Sequence, residues 1–263
     1  MPHERKNEAK VYMTISGDLI SQVARWFYEG LRSLAGGNVT VLREERNGYA
    51  PSAMPSYIVA VAAVEAFINE AFLSPIARLH FEGSSLYQLN CDWLERVDIR
   101  EKIIITARLL LGATLKRDKQ PFQDFRMLVA VRNEIIHYKM DATWPSFVRD
   151  LNQRKIGLDR KPPKGSDAIV MCAQPWASEI STTEGIRWAH NTAIGMMQHM
   201  IEIMPGDGEE FRKRGLDGEM KYERFRFVSS SVAHYLSNMK LIDEKARDRA
   251  WEELGIGRQE AKW

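Results

Sequence analysis

Residues 57–72, YIVAVAAVEAFINEAF, are apolar on nearly every side of a helix, and only the middle of a core can take such a segment. The rest of the chain must supply elements that surround it. The run carries one charge that water would have to give up: Glu65 lies on the stripe of Ile58, Val61, Ala62, Ile68 and Phe72, with no counter-charge nearby in sequence. Before it, residues 47–56, NGYAPSAMPS, read as turns, and after it Ser74-Pro75 should kink or end the helix, with a short continuation to about residue 80.

Surrounding helices are readable from spacing. Residues 18–34 repeat Leu19, Ile20, Val23, Trp26, Phe27, Leu31 and Leu34 at helical intervals, and Gly36-Gly37 ends them. Residues 100–115 place Ile103, Ile104, Ala107, Leu110, Leu111 and Leu115 at intervals of three and four. After a basic loop, residues 121–139 begin with a proline suited to a first turn. Residues 147–167 hold two prolines, two glycines and several Lys and Arg, and read as an exposed basic connection. AIVMCA at 168–173 suggests one short strand, which does not change the class. Ser181 with Glu184 matches a capping box, residues 186–204 supply the helix behind it, and Pro205-Gly206 closes it. Further helices are expected near 219–238 and 243–254. The fold class is therefore all-α: a helical bundle at 50–205, preceded by an N-terminal helical segment at 1–49 and followed by a C-terminal helical extension at 206–263.

Composition narrows the partners. With 263 residues and 37 basic against 35 acidic side chains, net charge is +2, so no global field recruits nucleic acid and any basic surface must be local. A polar start without an apolar leader, and no uninterrupted apolar run of about 18 residues, point to a cytoplasmic protein without a membrane partner. Cys91 and Cys172 lack metal-ligand spacing, so neither zinc nor a disulfide is expected.

The sharpest local feature is in KQPFQDFRMLVAVRNEIIHYK, residues 119–139. At 100° per residue, Phe125, Leu128, Val129, Ile135 and Ile136 fall within about 60° of Arg132. A guanidinium on an apolar stripe must meet a carboxylate, line a wet cleft or face a second subunit. Glu65 is the expected counter-charge across two packed helices. Asn133 and His137 are neighbours on one flank, and Arg132 points roughly 100° away from Asn133. A structural ion pair and a functional site both fit this much.

VRNEIIHYK resembles the Arg-x4-His signature of HEPN domains, including the asparagine that often follows the arginine. YIVAVAAVEAFINEAF is similar to that family's early core helix and EISTTEGIRWAHNTAIGMMQHMIEIMP to its closing helix, so the likeness covers roughly residues 50–205. The resemblance implies a metal-independent endoribonuclease of a toxin–antitoxin or phage-defence system, needing no cofactor. It also implies a homodimer whose paired motifs form one cleft, and it allows an antitoxin or defence partner protein. In the chemistry implied, an RNA 2′-hydroxyl attacks the adjacent phosphate and leaves a 2′,3′-cyclic phosphate. His137 would move the proton, Arg132 would hold the phosphate, Asn133 would orient substrate or histidine, and Glu65 would hold Arg132 or share proton transfer. Tyr138 and Lys139 are further candidates for RNA contact, against ordinary surface residues at a helix end. The basic loop with Arg149, Arg154, Lys155, Arg160, Lys161 and Lys164 either tracks a phosphate backbone or is a solvated connection. His190 and His199 read as core or surface histidines, and Met196, Met197, Met200 and Met204 as core or interface packing. The rival to the nuclease is a catalytically silent HEPN-like module that binds RNA or protein. The two differ at His137, which a nuclease needs exposed and a structural role would bury.

Overall fold

The computed structural model describes residues 15–36, 41–42, 47–70, 96–109, 113–137, 144–158, 176–203 and 241–253. These form α1 (Ile15–Ala35), β1 (Val41–Leu42), β2 (Asn47–Gly48), α2 (Ala53–Ile68), α3 (Ile99–Leu109), α4 (Phe122–Ile136), α5 (Ser146–Gln153), α6 (Trp176–Ile180), α7 (Thr183–Glu202) and α8 (Glu244–Glu253). The class is all-α. Strand is confined, among the described residues, to the two-residue antiparallel pair β1–β2 and a single bridge from Tyr49 to Thr182.

Helix α2 takes the central place its composition demands. α1, α4 and α7 all pack on it, and α7 also packs on α1 and α4. No residue of α2 is exposed, and Tyr57, Val61, Val64, Phe67 and Ile68 are fully buried. At about 2 kcal/mol for each large apolar side chain removed from water, this one helix supplies much of the drive to fold. It begins earlier than the turn-rich reading of 47–56 suggests, because Pro55 falls in the first helical turn, where no intrahelical donor is needed. Its far end ties down α1: the Glu70 carboxylate accepts from the Ser16 backbone N–H at 3.1 Å and from its hydroxyl at 2.6 Å. A carboxylate there satisfies an orphan donor at a helix N-terminus and complements its dipole.

Two local readings need correction. Residues 146–153 are a helix, not loop, with Phe147, Val148 and Leu151 buried on one face. Their spacing is helical, but the surrounding charges and prolines mask so short a run. The start of α7 is capped by Thr182 and not by Ser181. The Thr182 hydroxyl oxygen accepts from the Gly185 N–H at 2.8 Å, while the Ser181 hydroxyl donates back to the Ala177 carbonyl at 2.7 Å. A second cap comes from far away in sequence. Buried Asn47 accepts from the Glu184 N–H and the Thr183 hydroxyl, each at 3.2 Å, and its amide donates to the Ile156 carbonyl at 3.2 Å.

The extension is partly integrated. Ile242 is buried, and the Asn191 side chain both donates to its carbonyl at 3.1 Å and accepts from its N–H at 2.9 Å. α8 then packs against α1. The expected kink at 74–75, strand at 168–173 and helix at 219–238, like Cys91 and Cys172, lie outside the described residues. No described helix is long and apolar enough to cross a membrane.

Candidate functional site

Helix α4 buries Phe122, Phe125, Leu128, Val129 and Val131 against α2 and α7, which sets the direction of every other side chain on it. Arg132 enters the boundary of that face. It is half-buried, its Nε is fully buried without a hydrogen-bond partner, and no ion pair joins it to another described residue. A buried donor left open costs about 1–3 kcal/mol.

The expected pairing with Glu65 is not formed. Glu65 instead accepts from Lys102, whose buried Nζ lies 3.2 Å from its Oε1 and 3.4 Å from the Asn69 side-chain oxygen. The reason is geometric: Lys102 sits on the buried face of α3 with Ile99, Ile103, Thr106 and Ala107, and its long stem carries the ammonium to the α2 carboxylate. The carboxylate that feels Arg132 is Asp98, the N-cap of α3. Arg100 grips it through Nε at 2.8 Å and Nη2 at 3.1 Å, and its backbone N–H adds a 2.9 Å bond. Those bonds hold the Asp98 carboxyl below the usual carboxylate range, although partial burial pulls the other way, and the Arg132 charge adds to the lowering. Arg132 is thus near an acid already committed to another arginine.

Asn133 is half-buried one position on, and His137 closes the helix. The His137 backbone N–H donates to the Asn133 carbonyl at 2.9 Å, so the end of α4 is ordered up to the imidazole, and the His137 side chain is exposed. Asn133 lies between Arg132 and His137 around the helix. Tyr138 and Lys139 lie outside the described residues. Arg154 is at the other end of α4, where its guanidinium bonds the Asp124 carboxylate at 2.5 Å, and Lys155 is exposed in a left-handed turn with φ 59°. No described group of three or more His, Cys, Asp or Glu side chains could hold a metal ion.

His190 and three of the methionines fall into the packing. His190 is buried, with Nδ1 3.1 Å from the Asn191 side-chain oxygen, and Met196, Met197 and Met200 are core. The participants missed from sequence are Lys102 and Asp98. Lys102 carries the same signal that marks Arg132, a cation on an apolar helical stripe. Asp98 could have been found as the capping residue ahead of that stripe.

The described elements define a mostly helical protein built round one apolar helix, with an open arginine and an exposed histidine at the end of a neighbouring helix. Comparison of the chain with protein-family models, with curated proteins and with solved structures found no match in any of the three.

Proposed function

We propose that the protein is a metal-independent endoribonuclease of the HEPN type, with a role in a toxin–antitoxin or phage-defence system. The observation that carries the reading is Arg132: half-buried, its Nε without a partner, on the helix that ends in exposed His137. An open guanidinium suits a phosphate, whose paired oxygens it can meet with two parallel bonds. As the RNA 2′-hydroxyl attacks the neighbouring phosphorus, charge grows on the phosphate oxygens, and Arg132 is the group placed to offset it. His137, an imidazole open to solvent, takes the hydroxyl proton or returns one to the leaving 5′-oxygen. Asn133, set between them, orients substrate or ring. The products are a 2′,3′-cyclic phosphate and a 5′-hydroxyl. Glu65, bonded to Lys102, joins α2 to α3 and takes no part in this step.

Around one α4, Arg132 and His137 are about 140° apart at 100° per residue. A second copy across this helix end would let the two motifs complement each other, and Ile136, 51% exposed beside His137, offers such a partner an apolar anchor. The proposed active form is accordingly a homodimer in the cytoplasm. The alternative, a silent HEPN-like binding module, keeps Arg132 and Asn133 as an RNA or protein contact without proton transfer.

The test is cleavage of mixed RNA in EDTA by the wild type, Arg132→Ala and His137→Ala, with the product ends mapped. Cyclic-phosphate ends made by the wild type, falling at least about a hundredfold in both folded variants, are the expected result. Equal cleavage by all three proteins, or none by the wild type, overturns the nuclease in favour of the binding module.

A further inference from the structure

One flank of α4 carries more than the motif. Arg126, Ala130, Asn133 and His137 follow at intervals of four, three and four, the spacing of a single stripe along a helix. Arg126 is exposed, and no hydrogen bond or ion pair joins it to another described residue. Ala130, the small residue between, is half-buried and packed against the core, so the stripe itself carries no bulky side chain between Arg126 and Asn133. The nearby acids point elsewhere. Asp124 is bound by Arg154, and Glu134 stands about 80° round the helix from Arg126.

From these placements we infer that Arg126 is a second phosphate contact, which selects a polymeric single strand laid along α4 over a dinucleotide. The inference rests on the ribonuclease reading and deepens it. At 1.5 Å per residue, Arg126 is about 10.5 Å from Asn133 and about 16.5 Å from His137 along the axis. That is beyond reach of the scissile phosphate, so the oxygen it meets belongs to a phosphate farther along the same strand. A lone exposed cation at that distance adds affinity without touching chemistry, through charge and counterion release.

The probes are an oligouridylate of about 12 nucleotides and a uridylyl-adenosine dinucleotide, given to the full-length wild type, Arg126→Ala and Arg126→Lys. Arg126→Ala should raise KM for the oligonucleotide about tenfold with kcat unchanged, and leave the dinucleotide unaffected. Binding of the oligonucleotide, measured on His137→Ala with and without the Arg126 change, should lose about 0.7 from the slope of log Kd against log salt. Arg126→Lys should keep that slope. Wild-type oligonucleotide kinetics and slope in Arg126→Ala overturn the second contact and leave the nuclease standing. A wild type that cleaves neither RNA while the slope still differs removes the nuclease and supports the contact. If none of the proteins binds or cleaves the oligonucleotide, both are overturned.

Discussion

Three buried or half-buried charges, Arg132, Lys102 and Glu65, decide what the middle of this molecule can do. Glu65 and Lys102 face each other with unequal exposure: the carboxylate side chain is 38% exposed and the ammonium side chain 1%. The two are therefore not equivalent on mutation. Lys102→Met removes the buried charge, keeps the stem's packing, and leaves a carboxylate that water can solvate, so it should shift stability by less than about 1 kcal/mol. Glu65→Ala takes from the buried ammonium the carboxylate it bonds, and should cost about 2 kcal/mol, the exposure of the carboxylate discounting the larger cost of a fully buried pair. Urea unfolding of both variants checks the order; equal losses would mean that Lys102 draws its compensation elsewhere. Arg132 stood out in the sequence because its charge breaks an apolar stripe. Its partner did not, because a helical periodicity says which side of a helix turns inward and nothing about which carboxylate waits there. Lys102 broke a stripe in the same way, but a lysine stem ordinarily carries its charge to the surface, which hides the signal.

Secondary structure was readable wherever an apolar stripe ran long enough to show its period, as in α1, α2, α4 and α7. It was less so where tertiary contacts place the ends. The capping box at Ser181 and Glu184 is one residue out because Asn47, distant in sequence, supplies the oxygen that the Glu184 N–H would take from Ser181, and the Glu184 carboxylate turns to Arg187 at 2.7 Å. The same junction explains a glycine. Tyr57 is buried and donates to the Ile180 carbonyl at 2.6 Å, and a Cβ on Gly185 would lie 2.1 Å from that hydroxyl and 2.8 Å from that carbonyl. Neither group can withdraw, since the tyrosine side chain is enclosed in the core and held by its hydrogen bond, and the carbonyl is backbone. Gly185→Ala should therefore destabilise by roughly 2–3 kcal/mol, the cost of overpacking a closed site. Tyr57→Phe loses one hydrogen bond, about 1 kcal/mol, but removes the nearer clash, so the double variant should lose less than the sum. Strict additivity in thermal or chemical unfolding would place the strain somewhere other than this contact.

At the scale of the whole molecule, one core runs from Ile20 in α1 to Ile242 ahead of α8, so the two flanking segments share the burial that stabilises the bundle between them. Sequence placed the longer helices but could not show this joining, because the residues that do it are polar. Asn191 serves Ile242 as a neighbouring strand would; Arg187, held by Glu184, also donates to the Ile242 carbonyl at 3.3 Å, and the buried imidazole of His190 meets the Asn191 oxygen from the core side. Since the asparagine oxygen only accepts, Nδ1 of His190 carries the proton, and a second proton would have to go to Nε2 inside the core. Burial lowers the His190 pKa, with the Asn191 bond opposing it in part. A depressed folded value means that the unfolded chain binds the proton more readily. The stabilisation is therefore complete above the unfolded pKa of about 6.5 and is lost as pH falls through it towards the folded value. The thermal midpoint of the wild type should drop between pH 7.5 and pH 5.5, and amide protection at Ile242 should drop with it as the clip loosens. His190→Gln carries no titrating group at this position, so its midpoint should fall less over the same interval. A variant that loses as much as the wild type would assign the acid sensitivity to other groups and leave His190 as packing alone.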